Sequence, residues 1–396
     1  LYICNYNNYI WKILVIFIDM IRPNRLATFN DKIVADTPLD LSLRELGGTY
    51  YTNCFSQGPD TPRGMSAFAT GCAPYKNGCN TRLKWPRYFL NKELKTIYDL
   101  FIERDYKMTF FSNPNEREDG LFPEHVSNLK VHNYNYDLDK YLSETKLEEN
   151  HFVFISLPDF HWSFDDNGYT VYGEKKSYKE IKKSYDVIFK NFSKDEFDHI
   201  FVFSDHGFKH THESKRESKY LFLNEDRTNI LMIHRKKNEE KIKYDNRMCS
   251  IADIYPTIQD IFSEKIDAGI SFLSENEREY VVVEDHLNFA PSVNQNVEIW
   301  SIVKRDVIYI RTLESGYILD RNSRKVEIAI DQKNDDILKG ESSFGKYIEE
   351  YEQVFKYREF IFKQTTYMHG GERVCPPIFM KYLHALKDVI FEKYEK

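Results

Sequence analysis

The chain has 396 residues, 41% of them hydrophobic and 30% charged, with a formal net charge of −7. That is apolar material for one large α/β domain or two domains, and an acidic balance without a long basic run argues against a nucleic-acid partner. Six cysteines (Cys4, Cys54, Cys72, Cys79, Cys249 and Cys375) are scattered without a Cys-x-x-Cys pair, a pattern that suits reduced thiols better than a disulfide framework or a zinc knuckle.

The first residues, LYICNYNNYIWK, lack the basic region and cleavage site of a signal peptide. KILVIFIDM (12–20) then reads as a buried parallel strand, a continuous β-branched run that ends in Asp19. Its apolar stretch is far too short to span a bilayer. A cytoplasmic protein with no membrane span is the expectation. Asp19 falls at the carboxyl end of the strand, where open α/β sheets place their ligands, with Arg22 and Arg25 just beyond. LSLRELGGTYYTN predicts a helix, a Gly-Gly stop and a short strand.

The stretch DTPRGMSAFATGCAPYKNG (60–78) follows, bounded by turn signals at Thr70-Gly71, Ala73-Pro74 and Asn77-Gly78. Thr61 stands immediately before a proline, and GMSAFAT behind it is small and apolar, which suits the start of a buried helix. A hydroxyl at a loop-to-helix junction is well placed to meet an anion, because the first amides of a helix have no internal partner. An ordinary capped helix is the plainer alternative.

After Gly78, LKTIYDLFIERDY has helical spacing and KMTFFS (107–112) is the next strand. A helix is expected at YDLDKYLSET. HFVFISLPDFHW (151–162) repeats the first design, an apolar strand with Asp159 and His161 at its end. KSYKEIKKSYDVIFKNF is a helix with a solvated basic face. HIFVFSDHGFKHTH (199–212) is a third copy of the design, ending in Asp205-His206-Gly207 and followed by His210 and His212. NILMIHRKK (229–237) is a strand, and SIADIYPTIQDIF (250–262) a helix with Pro256 inside its pattern. From about Glu279 the texture changes to short alternating strands separated by turn residues, the signature of an antiparallel sheet. A helical segment, FGKYIEEYEQVFKYREFIF, comes next, and YMHGGERVCPP brings His369 between turn signals.

Carboxylates and imidazoles at adjacent strand ends can converge on a divalent metal, and a metal-bound Thr61 would have a lowered hydroxyl pKa. In this order the motifs resemble the alkaline phosphatase superfamily, in particular its sulfatase-like branch. ILVIFIDMIRPNRL resembles the opening strand with its metal-binding Asp, and TPRGMSAFATGCAPYKNG the nucleophile segment. The later Thr-Gly-x-x-Pro-x-x-x-Gly places Thr61 on the nucleophile. VFISLPDFHW resembles the Asp-x-His strand end, VFSDHG the Ser-Asp-His-Gly motif, and SIADIYPTI the helix that follows.

The resemblance implies an α/β fold: a mostly parallel central sheet sandwiched by helices, with a small C-terminal antiparallel subdomain. The expected division is a catalytic core over 1–275, the antiparallel part over 276–335, and a segment over 336–396 that returns to the active site. It also implies one metal held by Asp19, Thr61, Asp205 and His206, with Thr61 as the attacking group. Asp159 and His369, with His161, would surround a second metal or the anionic oxygens of the substrate. Zn or Mn is expected, because imidazole joins the carboxylates. His210 and His212 are either proton donors or substrate contacts, or exposed loop histidines.

Two departures matter. Sulfatases begin the nucleophile motif with Cys or Ser, converted to formylglycine, within Cys-x-Pro-Ser-Arg. Here Thr stands at that position, Pro62 is one place early, and threonine cannot become formylglycine. The Asp159-x-His161 spacing is also shorter than in two-metal members. The expected activity is hydrolysis of phosphate mono- or diesters through a phosphothreonine. The alternatives are sulfate-ester hydrolysis, phospho-headgroup transfer, or an inactive binding domain. The substrate would be a small anionic ester, with a glycan or lipid headgroup as the carrier group.

Overall fold

The structure, a computed structural model, describes residues 11–77, 79, 90, 93–112, 137–210, 223, 225–266, 268–285, 299–312, 315–321 and 326–331. The expected helix at 344–362 and the turn carrying His369 lie outside these residues, as does His212.

Among the described residues, nine strands precede residue 251. They are β1 (Lys12–Ile18), β2 (Gly48–Tyr51), β3 (Cys54–Phe55), β4 (Lys107–Phe111), β5 (His151–Leu157), β6 (His199–Phe203), β7 (Met232–Lys236), β8 (Ile242–Asp245) and β9 (Cys249–Ser250). Seven of them form one sheet in the order β4-β5-β1-β6-β7-β2-β8. The four strands β4, β5, β1 and β6 run parallel, and β7 is antiparallel to both β6 and β2. β1 lies between β5 and β6, in register from Ile13 beside Phe152 and His199 to Phe17 beside Ser156 and Phe203. Asp19, Asp159 and Asp205 therefore leave the sheet on the same edge.

Period-2 alternation in β1 divides its side chains between two cores. Ile13, Val15 and Phe17 enter one; Leu14, Ile16 and Ile18 enter the other. A strand buried on both faces has to read as an unbroken apolar run, which is how KILVIFI reads. The first core is completed by α2 (Thr61–Thr70), α3 (Ile97–Ile102) and α8 (Ile254–Ile261), and the second by α1 (Pro38–Leu46), α4 (Leu138–Glu144), α5 (Asp159–Asn167) and α6 (Val171–Asn191). Phe68 of α2 packs 5.1 Å from Phe203 and 5.9 Å from Phe154, ring to ring. This contact seats α2 directly beneath the carboxyl ends of β5 and β6.

The sequence expectation of one helix over 250–262 resolves into a 3-10 turn, Ile251–Asp253, capped by Ser250, and then α8. Pro256 is the third residue of α8, in the first turn, where no internal amide is lost. β3 and β9 pair with each other in parallel, apart from the main sheet.

The change of texture near residue 279 is a five-stranded antiparallel sheet in sequence order: β10 (Val281–Asp285), β11 (Ile299–Val303), β12 (Val307–Thr312), β13 (Ser315–Asp320) and β14 (Val326–Asp331). It shares a small core with Phe55 and Met248. The Glu284 amide donates to Gln57 O at 3.0 Å, and Arg63 of α2 meets Asp285 at 3.4 Å. The second sheet is thus fastened to the loop that enters α2. Among the described residues, no helix is long and apolar enough to cross a membrane.

Candidate metal centre and active site

Asp19 follows β1, and Asp205 and His206 follow β6 next to it. Their ligand atoms all lie within 4.8 Å of one another, the only such group of three among the described residues. His206 Nε2 is 3.6 Å from Asp19 Oδ1 and 3.5 Å from Asp205 Oδ2. The other ring nitrogen, Nδ1, donates to Gly207 O at 2.7 Å. That bond fixes the tautomer and turns the Nε2 lone pair toward the carboxylates, as second-shell carbonyls do for ligating histidines.

Local backbone geometry serves this arrangement. Met20 has φ of +69°, the left-handed region a long side chain rarely adopts. Its amide donates to Asp205 Oδ1 at 3.2 Å, and the His206 amide donates to the same oxygen at 2.9 Å. Asp19 Oδ1 and Asp205 Oδ2 are buried and have no hydrogen-bond partner.

The electrostatics are those of a site short of positive charge. Burial, and then the charge of Asp19, push the Asp205 carboxyl well above the usual carboxylate range. Burial also works against ionised Asp19, but the charge and hydrogen bond of His161 prevail and lower its pKa. His161 Nδ1 donates to Asp19 Oδ2 at 2.7 Å, and Asp19 in turn raises the His161 pKa to about 9. Burial depresses His206 to about 4, so it is neutral at pH 7.

Two orphaned carboxylate oxygens and one neutral imidazole lone pair, converging in the interior, are the donor set of a divalent-cation site. The residues fit such an ion.

Thr61 is the first residue of α2, with Asp60 as N-cap accepting from the Arg63 amide. Arg63 is fully buried and ion-paired to Asp60, which holds the entry loop in shape. The Thr61 side chain lies beside the Asp205 carboxyl and favours its ionised form. Gly64 allows this approach. A Cβ there would sit 2.7 Å from Asp205 O and 3.0 Å from Asp205 Cβ.

The other expected residues are placed differently. Asp159 opens α5, and its Oδ1 accepts from Ser184 Oγ of α6 at 2.8 Å; it is not part of the three-residue cluster. His161 reaches the site through Asp19, on one side of which it stays partly exposed. His210 is buried rather than on an exposed loop, with Nε2 3.0 Å from Glu174 Oε2. Glu174 also takes a bidentate pair from Arg25, at 3.1 and 2.9 Å.

Several contributors carry no motif. Arg22 donates to Phe208 O at 3.0 Å and pairs with Asp226 at 2.5 Å, tying the loop after β1 to the loop after β6. Arg227, in the short helix α7 (Glu225–Thr228), donates to Pro59 O at 3.2 Å, and its charge bears on His206. Gly207 packs so closely on α7 that a Cβ would meet Asp226 O at 2.2 Å. Nothing in the sequence spacing pointed to Arg227 or to Glu174.

No protein-family model matches the chain, and no curated protein does. Solved structures do. A 2-O GAG sulfatase superposes with a TM-score of 0.63 at 15% identity, over 90% of this chain and 93% of that one. A phosphonate monoester hydrolase of Agrobacterium radiobacter gives 0.57 at 12%, over 88% and 95%. A protein in the alkaline phosphatase superfamily from Vibrio parahaemolyticus gives 0.56 at 15%, over 82% and 83%. The fold is sulfatase-like. At these identities the likeness concerns the fold alone. In this sulfatase-like fold the Asp19/Asp205/His206 cluster and Thr61 share the carboxyl edge of the parallel sheet, where α/β folds bind ligands.

The Glu174 cluster gives a pH test. Burial disfavours its charge, but hydrogen bonds from His210 and Arg25 prevail and lower its pKa from 4.5 to about 2. A depressed carboxylate stabilises the fold above its unfolded pKa, and that contribution is lost as pH falls through the folded value. Stability should therefore decline between roughly pH 4.5 and 2, and Glu174→Gln should flatten that decline in urea titrations at stepped pH. An unchanged slope in the variant would show that Glu174 is not the titrating group.

Proposed function

We propose that the protein hydrolyses phosphate mono- or diesters with Thr61 as nucleophile, at a divalent-metal centre formed by Asp19, Thr61, Asp205 and His206. The observation that carries this reading is that Thr61, the first residue of α2, lies beside Asp205, in a cluster that could hold a cation. The similar solved structures are described as a sulfatase and a phosphonate monoester hydrolase, which supports an anionic ester as the substrate class. Threonine favours phosphorus over sulfur, because it cannot become formylglycine.

A bound Zn or Mn ion would lower the pKa of the Thr61 hydroxyl and offset charge on the ester oxygens. The chain's own groups do the rest. The positive end of the α2 dipole faces the anion. With a cation bound Asp205 would be ionised and, fixed by two backbone amides, would accept the Thr61 proton. The Thr61 oxygen attacks phosphorus in line and displaces the alcohol, leaving a phosphothreonine that water then cleaves. The Asp19 charge raises the His161 pKa to about 9 and the ring is partly open to solvent, which supports His161 as the group that protonates the leaving oxygen.

Two measurements test this. Thr61→Ala should lower kcat on the best phosphate ester by about 10⁴-fold or more while leaving the unfolding midpoint unchanged, and Thr61→Ser should keep part of the activity. A panel of phosphomonoesters, phosphodiesters, sulfate esters and acceptor alcohols read on the metal-loaded protein separates the alternatives. Turnover of sulfate esters alone would overturn the phosphate assignment, and phosphoryl transfer only to an added alcohol would make the protein a transferase.

His161→Ala should slow esters with poor alkoxide leaving groups by about 10²-fold or more, and nitrophenyl esters far less, since a good leaving group needs no proton. An equal loss on both would assign His161 to orienting Asp19 instead.

A further inference from the structure

Cys54 and Cys249 are far apart in the chain and directly opposite each other in space. They are register partners in the two-stranded parallel sheet β3–β9. Register partners in a sheet point their side chains to the same face. Both thiols are fully buried in the first core, and Cys54 is near enough to Cys249 to bear on its ionisation. Neighbouring parallel strands lie about 4.7–4.9 Å apart, inside the Cα window of about 4.4–6.8 Å that a disulfide requires. The other described cysteines, Cys72 and Cys79, have no such opposed partner among the strands.

We propose that Cys54 and Cys249 are a disulfide site, and that an oxidised form of the protein carries this bond. The bond would join two functional approaches. β3 leads through Ser56 and Gln57 into the Asp60–Thr61 loop, and β9 leads through the Ser250 cap into α8. Its frame is already in place: Ile230 N donates to Cys54 O at 2.9 Å and Cys249 N to Asn53 O at 3.1 Å.

The redox balance needs a two-electron oxidant, for which a small-molecule disulfide such as oxidised glutathione serves. The Cys54 thiolate attacks one glutathione sulfur and releases the first glutathione thiolate. The Cys249 thiolate then attacks the mixed disulfide at Cys54 and releases the second. Two cysteine thiols and one oxidised glutathione become one protein disulfide and two reduced glutathiones. Burial keeps both thiols from solvent in the folded state, so the bond forms as the chain folds. Parallel neighbours must draw closer than their sheet spacing to reach disulfide Cβ geometry, which makes the bond reducible rather than inert.

The test is refolding of the full chain from denaturant in reduced and in oxidised glutathione, followed by alkylation of free thiols, proteolysis without reductant and mass spectrometry. The oxidised sample should yield a linked peptide pair containing Cys54 and Cys249, two hydrogens lighter than the sum of its parts and dissolved by dithiothreitol. Its thermal midpoint should exceed that of the reduced sample by on the order of 5 °C. Cys249→Ser should lose both the pair and the rise, and Cys72→Ser should keep both. Alkylated Cys54 and Cys249 in the oxidised sample, linkage of either to another cysteine, or a midpoint rise that persists in Cys249→Ser would overturn the proposal.

Discussion

Two buried carboxylates facing each other dominate this molecule. Asp19 and Asp205 sit at the ends of neighbouring parallel strands, and each leaves one oxygen without a hydrogen bond. Packing alone would not tolerate this, since like charges in a low-dielectric interior repel strongly. The chain supplies partial relief: His161 holds Asp19 ionised, while Asp205 is driven toward its protonated form. A divalent cation bound between them would relieve the conflict. Much of the surrounding architecture is explained by the need to keep the two groups together.

That need is met from the backbone outward. The in-register pairing of β5, β1 and β6 fixes where the carboxylates emerge. The left-handed turn at Met20 aims an amide at Asp205, and Arg22 clamps the two exit loops to each other through Phe208 O and Asp226. Phe68 seats α2 under the same edge, and Gly64 lets its first turn close on Asp205. The Arg25–Glu174–His210 cluster braces the site from the α6 side. The antiparallel sheet contributes through Glu284 and Asp285, which grip the loop leading to Thr61.

Much of this was legible in the sequence. A short apolar run ending at a carboxylate reads as a strand buried on both faces, so β1, β5 and β6 and the strand-end positions of Asp19 and Asp205 could be read directly. The switch to short alternating strands after residue 279 was equally plain. What could not be read were contacts between segments far apart in the chain. Asp159 and His161 look like a pair, yet α5 begins at Asp159, so the helical turn sends one carboxylate to Ser184 and the other residue to Asp19. His210 read either as a proton donor or substrate contact or as an exposed loop histidine, because its partner, Glu174, belongs to a helix whose pattern shows only a basic face. Cys54 and Cys249 looked like isolated thiols because strand pairing, which sets them opposite each other, is not written in spacing.

We infer that the facing Asp19 and Asp205 carboxylates hold a cation next to Thr61. Anomalous diffraction from crystals soaked in Mn or Zn, collected on either side of the metal's absorption edge, addresses it most directly. One strong peak is expected within about 2.0–2.3 Å of Asp19 Oδ1, Asp205 Oδ2 and His206 Nε2, with the Thr61 oxygen completing the shell. A fully soaked crystal with no peak at that position, or with the metal bound only elsewhere, would contradict it.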